Sequence, residues 1–258
     1  WGLLDDIIAP GTPAVRSTTF KFADEELRIT IKPSHGVDAL YAPRRTLIDA
    51  VLAAEDRTFF SHAAIDPFGT LRALWADLRN QGSTQGGSTI TQQYVKTVYL
   101  SSERTLSRKL KEAVLSIKVE QEFTKDQILA LYFRLAPYGG NLEGLRAASI
   151  AYLGKEPRRL TPAEAALLVS LPQSPETRRP DRFPKAAEAA RDRVLSRMVR
   201  AGVLTGDKAD AARTEPVPAT RKPFPALAPH LAGRLRREEP LKALHLTTID
   251  ARLQRALE

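Results

Sequence analysis

Glu55 and Asp56 stand side by side in EDRTFFSH (residues 55–62), directly after the apolar run LIDAVLAA. A carboxylate at the edge of such a run can be partly desolvated. Desolvation raises its pKa toward neutrality and suits it to take a proton from a hydroxyl as a general base. The same pair also reads as solvated carboxylates at a helix end. A second group is GGSTITQQYVK (86–96), in which two glycines precede hydroxyls and amides, and Lys96 follows one or two helical turns on. Backbone amides at a helix N-terminus together with a lysine suit a phosphate; a Gly/Ser/Thr loop that simply caps a helix is the alternative. No G-x-x-x-x-G-K-[ST] occurs, so this is not a Walker A loop. In RKLKE, Arg108 and Glu112 are spaced i,i+4 and Lys109 and Glu112 i,i+3, which places two cations and a carboxylate on one helix surface. That surface fits an anionic ligand or a salt-bridged solvent face. The four glycines of APYGGNLEGLRAASIAYLGK (Gly139, Gly140, Gly144 and Gly154) point to turns and close backbone packing.

The elements that would carry these groups are mainly helical. From about 46 to 200, apolar residues recur at helical spacing, as in RTLIDAVLAAEDRTFF and PFGTLRALWADLRN. Thr89 with Gln92 fits a capping box before ITQQYVKTVYL, and Thr124 a cap before KDQILALYFRLA. In TLSRKLKEAVLSIKVEQEF the spacing predicts an inward stripe of Leu106, Leu110, Ala113 and Ile117. TPAEAALLVSLPQSP starts at Thr-Pro and stops at Pro172, and AAEAARDRVLSRMVRAGVL is the last strong helix. Upstream, STTFKF and LRITI alternate like strands; downstream of about 205, TEPVPATRKPFPALAP is proline-rich and reads as a linker.

With 258 residues, 43% of them hydrophobic, the chain is long enough for a substantial core. Its 39 Lys+Arg against 30 Asp+Glu give a net charge of +9, which favours an anionic partner. There is no cysteine, which excludes disulfides and thiolate metal sites. No run of 18 apolar residues is present, and the first residue is Trp1, so any membrane anchor is expected to precede this sequence.

In order and spacing together, EDRTFFSHAAID, GGSTITQQYVK, RKLKE and LAPYGGNLEG…AYLGK resemble the peptidoglycan glycosyltransferase domain of class A penicillin-binding proteins over roughly residues 40 to 200. LAPYGGNLEG and LPQSPETRRPDR look most like the C-type branch. The resemblance implies a mainly α, lysozyme-like, two-lobed domain with a small membrane-facing jaw lobe. It implies an entry segment at 1–40, the glycosyltransferase domain at 41–205, and at 206–258 a proline-rich linker with the start of a truncated transpeptidase region.

The activity it implies is polymerisation of lipid II into β-1,4-linked glycan by inverting displacement of undecaprenyl diphosphate. Carried over, Glu55 is the general base, and Lys96, Arg108 and Lys109 hold the diphosphate. Glu112 is the second catalytic glutamate, orienting the diphosphate end, a metal or the cations. Asp56, Phe59, His62, Ser88, Thr89, Gln92 and Gln93 line or shape the cleft, with His62 read as structural. A divalent ion, Mg2+ or Mn2+, is implied, with no site identifiable in the sequence. The chain departs from the family pattern at Ala64, Thr97, Ala130, Phe133 and Arg134. Neither S-x-x-K nor K-T-G occurs, so no transpeptidase site is expected in this sequence.

Lipid II and the growing strand are the implied partners, at the periplasmic face of a bacterial inner membrane, with cell-wall synthesis proteins beside them. Leu71, Leu74, Trp75 and Leu78, flanked by Arg72 and Arg79, form an apolar face for either a lipid interface or the core. A lysozyme-like hydrolase using a lone glutamate and a non-catalytic glycan-binding scaffold are the competing classes. Nucleic acid fits the charge but not the motifs.

Overall fold

The computed structural model describes residues 16–22, 25–31, 45–66, 87–99, 105–224 and 228–238. The apolar face at Leu71–Leu78 and the closing stretch 239–258 lie outside the described residues, as does most of the glycine-rich loop before Gly87. The two strand-like segments pair as an antiparallel hairpin, β1 (Arg16–Phe22) and β2 (Glu25–Ile31), with Arg16 opposite Ile31. The other described elements are helical, as the periodicity predicts.

Two groups of helices surround a shared core. In the first, α1 (Arg45–Glu55) packs on α6 (Pro162–Ser170) and α7 (Pro184–Arg200). In the second, α2 (Ile90–Tyr99) packs on α3 (Leu106–Glu122) and α4 (Lys125–Leu135). Between them in sequence, α5 (Leu145–Ala148) continues into a π-helical turn, Ser149–Leu153. Leu47, Phe59, Ile90, Ile128, Leu168 and Leu195 belong to one continuous buried cluster fed by both groups.

Helix ends are set by local chemistry. Thr124 and Thr161 each accept from the backbone N–H three residues on, while Gln127 and Glu164 reach back to the cap N–H, so both starts are complete capping boxes. Thr105 caps α3 through Arg108 N.

The inward face of α3 differs from the predicted stripe. Glu112, Leu115, Ser116 and Val119 are buried, whereas Leu110 is 65% and Ile117 45% exposed. The helix is rotated because its interior face carries a neutralised carboxylate, Glu112, and a serine whose hydroxyl donates to the Glu112 carbonyl at 2.7 Å. With those polar groups satisfied, tertiary contact with α2 outweighs the apolar periodicity.

The glycine reading holds. Gly139, Gly140, Gly144 and Gly154 all have positive φ. At Gly144 (φ +82°) a Cβ would sit 2.5 Å from the Arg134 carbonyl oxygen, where backbone cannot yield. Gly144→Ala should therefore destabilise the domain by roughly 2–3 kcal/mol, read as a lower denaturant midpoint with an unchanged slope.

Packing continues past position 205. The compact unit runs to Lys222, and residues 223–258 form a separate unit in which α9 (Pro229–Glu238) is described. Within the first unit, α8 (Gly206–Arg213) packs on α6 and α7, in a stretch that composition assigns to a linker. The tail beyond α8 is tied down by Arg221, which donates to the Gly139 carbonyl (2.9 Å) and the Tyr152 hydroxyl (3.1 Å). Lys222 N meets the Ala151 carbonyl at 2.6 Å and its Nζ the Leu153 carbonyl at 3.0 Å.

Candidate active site

Glu55 is the last residue of α1, at the meeting of the two helix groups. Its Oε2 accepts from Gln93 Nε2 of α2 at 2.7 Å, and its Oε1 from Gln173 Nε2, just after α6, at 2.8 Å. From α7, Arg197 donates to the Ala54 carbonyl at 2.7 Å, behind the carboxylate. Burial holds the Glu55 carboxyl above the ordinary carboxylate range, and the two amides and the Arg197 and Arg178 charges pull against it. The buried hydroxyls of Tyr132 and Tyr138 are pushed up, first by burial and then by the Glu55 charge. A desolvated carboxylate kept in place by neutral donors is the form a general base requires.

Asp56 serves a different purpose. It is buried, its Oδ2 accepts from Ile90 N at 3.1 Å, and its Oδ1 meets His62 Nε2 at 2.6 Å. It thus caps α2 from a distant part of the chain and fixes the turn after α1. His62 Nδ1 faces the Ala63 carbonyl, so both ring nitrogens are occupied, in keeping with a structural histidine. Phe59 is fully buried beneath the Lys125 ammonium, 4.5 Å from the ring centroid, and shapes the site through the core.

The start of α2 has the capping geometry of the second reading of GGSTITQQYVK. Thr89 N donates to Gln92 Oε1 (3.0 Å), Gln92 N to Thr89 Oγ1 (3.2 Å), and Ile90 N to Asp56. Thr89 Oγ1 in turn donates to the Ala64 carbonyl at 2.7 Å. These three amides are committed within the protein, so they form a cap.

The candidate cations lie on α3 and α2. Lys109 Nζ donates to Ser88 Oγ at 2.9 Å and to Glu112 Oε1, and Arg108 Nη2 is 3.6 Å from Glu112 Oε2. Glu112 is 3% exposed while the Lys109 side chain is 53% exposed. A buried carboxylate therefore anchors two cations, of which Lys109 reaches outward while the Arg108 side chain is 13% exposed. Ser88, Thr89 and Ile90 connect this group to Asp56, next to Glu55. Lys96 is exposed on α2, one turn beyond Gln93, and forms no ion pair with a described residue. Sequence reasoning missed Gln173, Arg178 and Arg197. Gln173 reaches Glu55 across 118 positions, and no local pattern announces that contact.

A family profile described as Transglycosylase matches residues 38–199. The chain belongs to the transglycosylase family. It is 40% identical over 211 residues to penicillin-binding protein 1C of Escherichia coli (strain K12), covering 82% of this chain and 27% of that protein. It is 40% identical over 196 residues to penicillin-binding protein 1A of Haemophilus influenzae, covering 76% and 22%. It is 42% identical over 171 residues to penicillin-binding protein 1A of Aquifex aeolicus, covering 66% and 24%. The chain thus spans about a quarter of the length of these relatives. For this transglycosylase two of the departures are satisfied locally: Thr97 Oγ1 bonds back to the Gln93 carbonyl (2.9 Å), and Ala64 contributes its backbone carbonyl to Thr89 Oγ1.

The divalent ion implied by the resemblance has no dedicated ligand cluster among the described residues of this transglycosylase. Among them no three His, Asp or Glu groups converge. Glu55 is engaged by two amides and Glu112 by two cations.

Proposed function

We propose that this chain is a peptidoglycan glycosyltransferase that polymerises lipid II into β-1,4-linked glycan at the outer face of a bacterial cytoplasmic membrane. Glu55 takes the proton from the 4-hydroxyl of the acceptor sugar as that oxygen attacks the anomeric carbon of the growing strand. The new C–O bond forms while the bond from that carbon to the diphosphate oxygen breaks. Configuration inverts, and the undecaprenyl diphosphate leaves with the electron pair. Negative charge grows on the leaving group, so cations fixed before the reaction stabilise the transition state more than the ground state. That task is assigned to Lys109 and Arg108, both held by buried Glu112, and Lys96 is carried into it by the resemblance.

The observation that carries this reading is the pairing of a desolvated, amide-held Glu55 with a carboxylate-anchored cation group on either side of the capped start of α2. A hydrolase would have no use for the second half of that arrangement. The test is to incubate the chain with lipid II in detergent, across a series of Mg2+ and Mn2+ concentrations, and resolve products by gel. Glycan polymer is expected. Protein that binds lipid II and yields no polymer under any of these conditions would refute the proposal in favour of a scaffold.

A further inference from the structure

We infer that Gln173, braced by Arg178, is a positioning residue that sets the orientation and protonation of Glu55; this rests on the role of Glu55 proposed above. The bracing is a continuous relay. Arg178 Nη1 donates to the Ser170 carbonyl at the end of α6 (2.8 Å) and to Gln173 Oε1 (3.0 Å), and Gln173 Nε2 donates to Glu55 Oε1 (2.8 Å). An amide offers an acceptor on one side and donors on the other. By occupying the acceptor, the Arg178 guanidinium leaves only the N–H side for Glu55, so the amide cannot turn over.

Gln173 is itself exposed, and a hydrogen bond from an exposed side chain contributes little to folding. Its ordered contact across 118 positions is better accounted for by what it does to the carboxylate. Gln93 already holds Oε2. With Gln173 on Oε1, both oxygens face donors, an arrangement that favours the ionised form and opposes the burial that favours the neutral acid. A protonated Glu55 would have to turn its O–H toward an N–H group and give up one of these bonds. The Arg178 charge acts on Glu55 in the same sense as the Gln173 amide.

The experiment is a pH profile of kcat and KM for polymerisation by wild type, Gln173→Met, Arg178→Met and Gln173→Lys. Methionine keeps the volume and removes the donor. Gln173→Met is expected to lower kcat near neutrality about tenfold, to leave KM within about twofold, and to displace the acid limb upward by roughly half to one pH unit. Arg178→Met should move the limb the same way. Gln173→Lys, which restores a donor and adds a positive charge, should bring the limb back below that of Gln173→Met. All three should stay folded at the assay temperature, Arg178→Met melting lower because it also gives up its bond to the Ser170 carbonyl. The same displacement is read without turnover from the 13C carboxyl shift of Glu55 in glutamate-labelled protein, assigned by its loss in Glu55→Gln. A Gln173→Met protein whose Glu55 shift titrates as in the wild type overturns the inference and leaves the proposed reaction standing. A Glu55→Gln protein that still polymerises overturns the reaction instead, while the carboxyl titration continues to test the relay.

Discussion

Glu55→Gln is expected to reduce polymerisation about a hundred- to ten-thousandfold while the protein stays folded, because a positioned general base contributes on that order and nothing else on the described surface replaces it. The neighbouring carboxylate, Asp56, is buried and committed to Ile90 N and His62, so it cannot substitute. The pH dependence has a definite sign. The base works as the carboxylate, and burial raises its pKa, so activity should rise with pH through that raised value.

Stability should move the opposite way. A group that binds its proton more tightly when folded adds stability that is full below its unfolded pKa and is lost as pH rises through the folded pKa. The ionised Glu55 is therefore a burden on the fold at neutral pH. Glu55→Gln should melt no lower than the wild type there. A glutamine variant that polymerises normally, or one that loses activity only by unfolding, would each contradict this account.

Arg191→Met should be the most damaging single change outside the site. The Arg191 side chain is 2% exposed, and its guanidinium donates to the carbonyls of Arg213 (2.8 Å) and Glu215, at the end of α8. Those carbonyls lack helical partners, and a buried cation meets them in place of water. Methionine fills much of the volume and satisfies neither. Charge-assisted hydrogen bonds of this kind are worth about 1.5–3 kcal/mol each, so a loss of roughly 3 kcal/mol is expected. For a unit of this size that is a fall in Tm of roughly 6–12 °C, measured by calorimetry. The matched control is Arg234→Met in α9. Its pairing with Glu238 is 3.8 Å long between exposed side chains, and its removal should leave Tm unchanged.

What could be read from the residues was whatever is local. The Thr89–Gln92 cap, the Thr124 and Thr161 starts and the clustered glycines follow from short-range hydrogen bonding and from sterics, and all appear in the structure. The chemistry of Glu55 and of the Arg108–Lys109–Glu112 group was legible only because several short blocks recur in one order. What stayed hidden was set by distant packing. The α3 stripe pointed the wrong way because Leu110 and Ile117 give up burial to a neutralised Glu112, a trade that periodicity does not register. The Gln173 and Arg178 relay was invisible because both are ordinary polar residues in a loop until the fold brings them to α1. Residues 206–222 read as linker because their prolines suggest extended chain, yet Arg221 and Lys222 supply donors that the turn at Ala151 and Leu153 needs.

That last attachment means that residues 214–222 behave as a girth strap. A single protease cut between Arg213 and Arg221 removes no cleft residue, yet it frees the two cations that hold the Gly139 and Leu153 carbonyls. Amide deuterium uptake would then quicken at Leu142 and Gly154, many positions upstream of the nick.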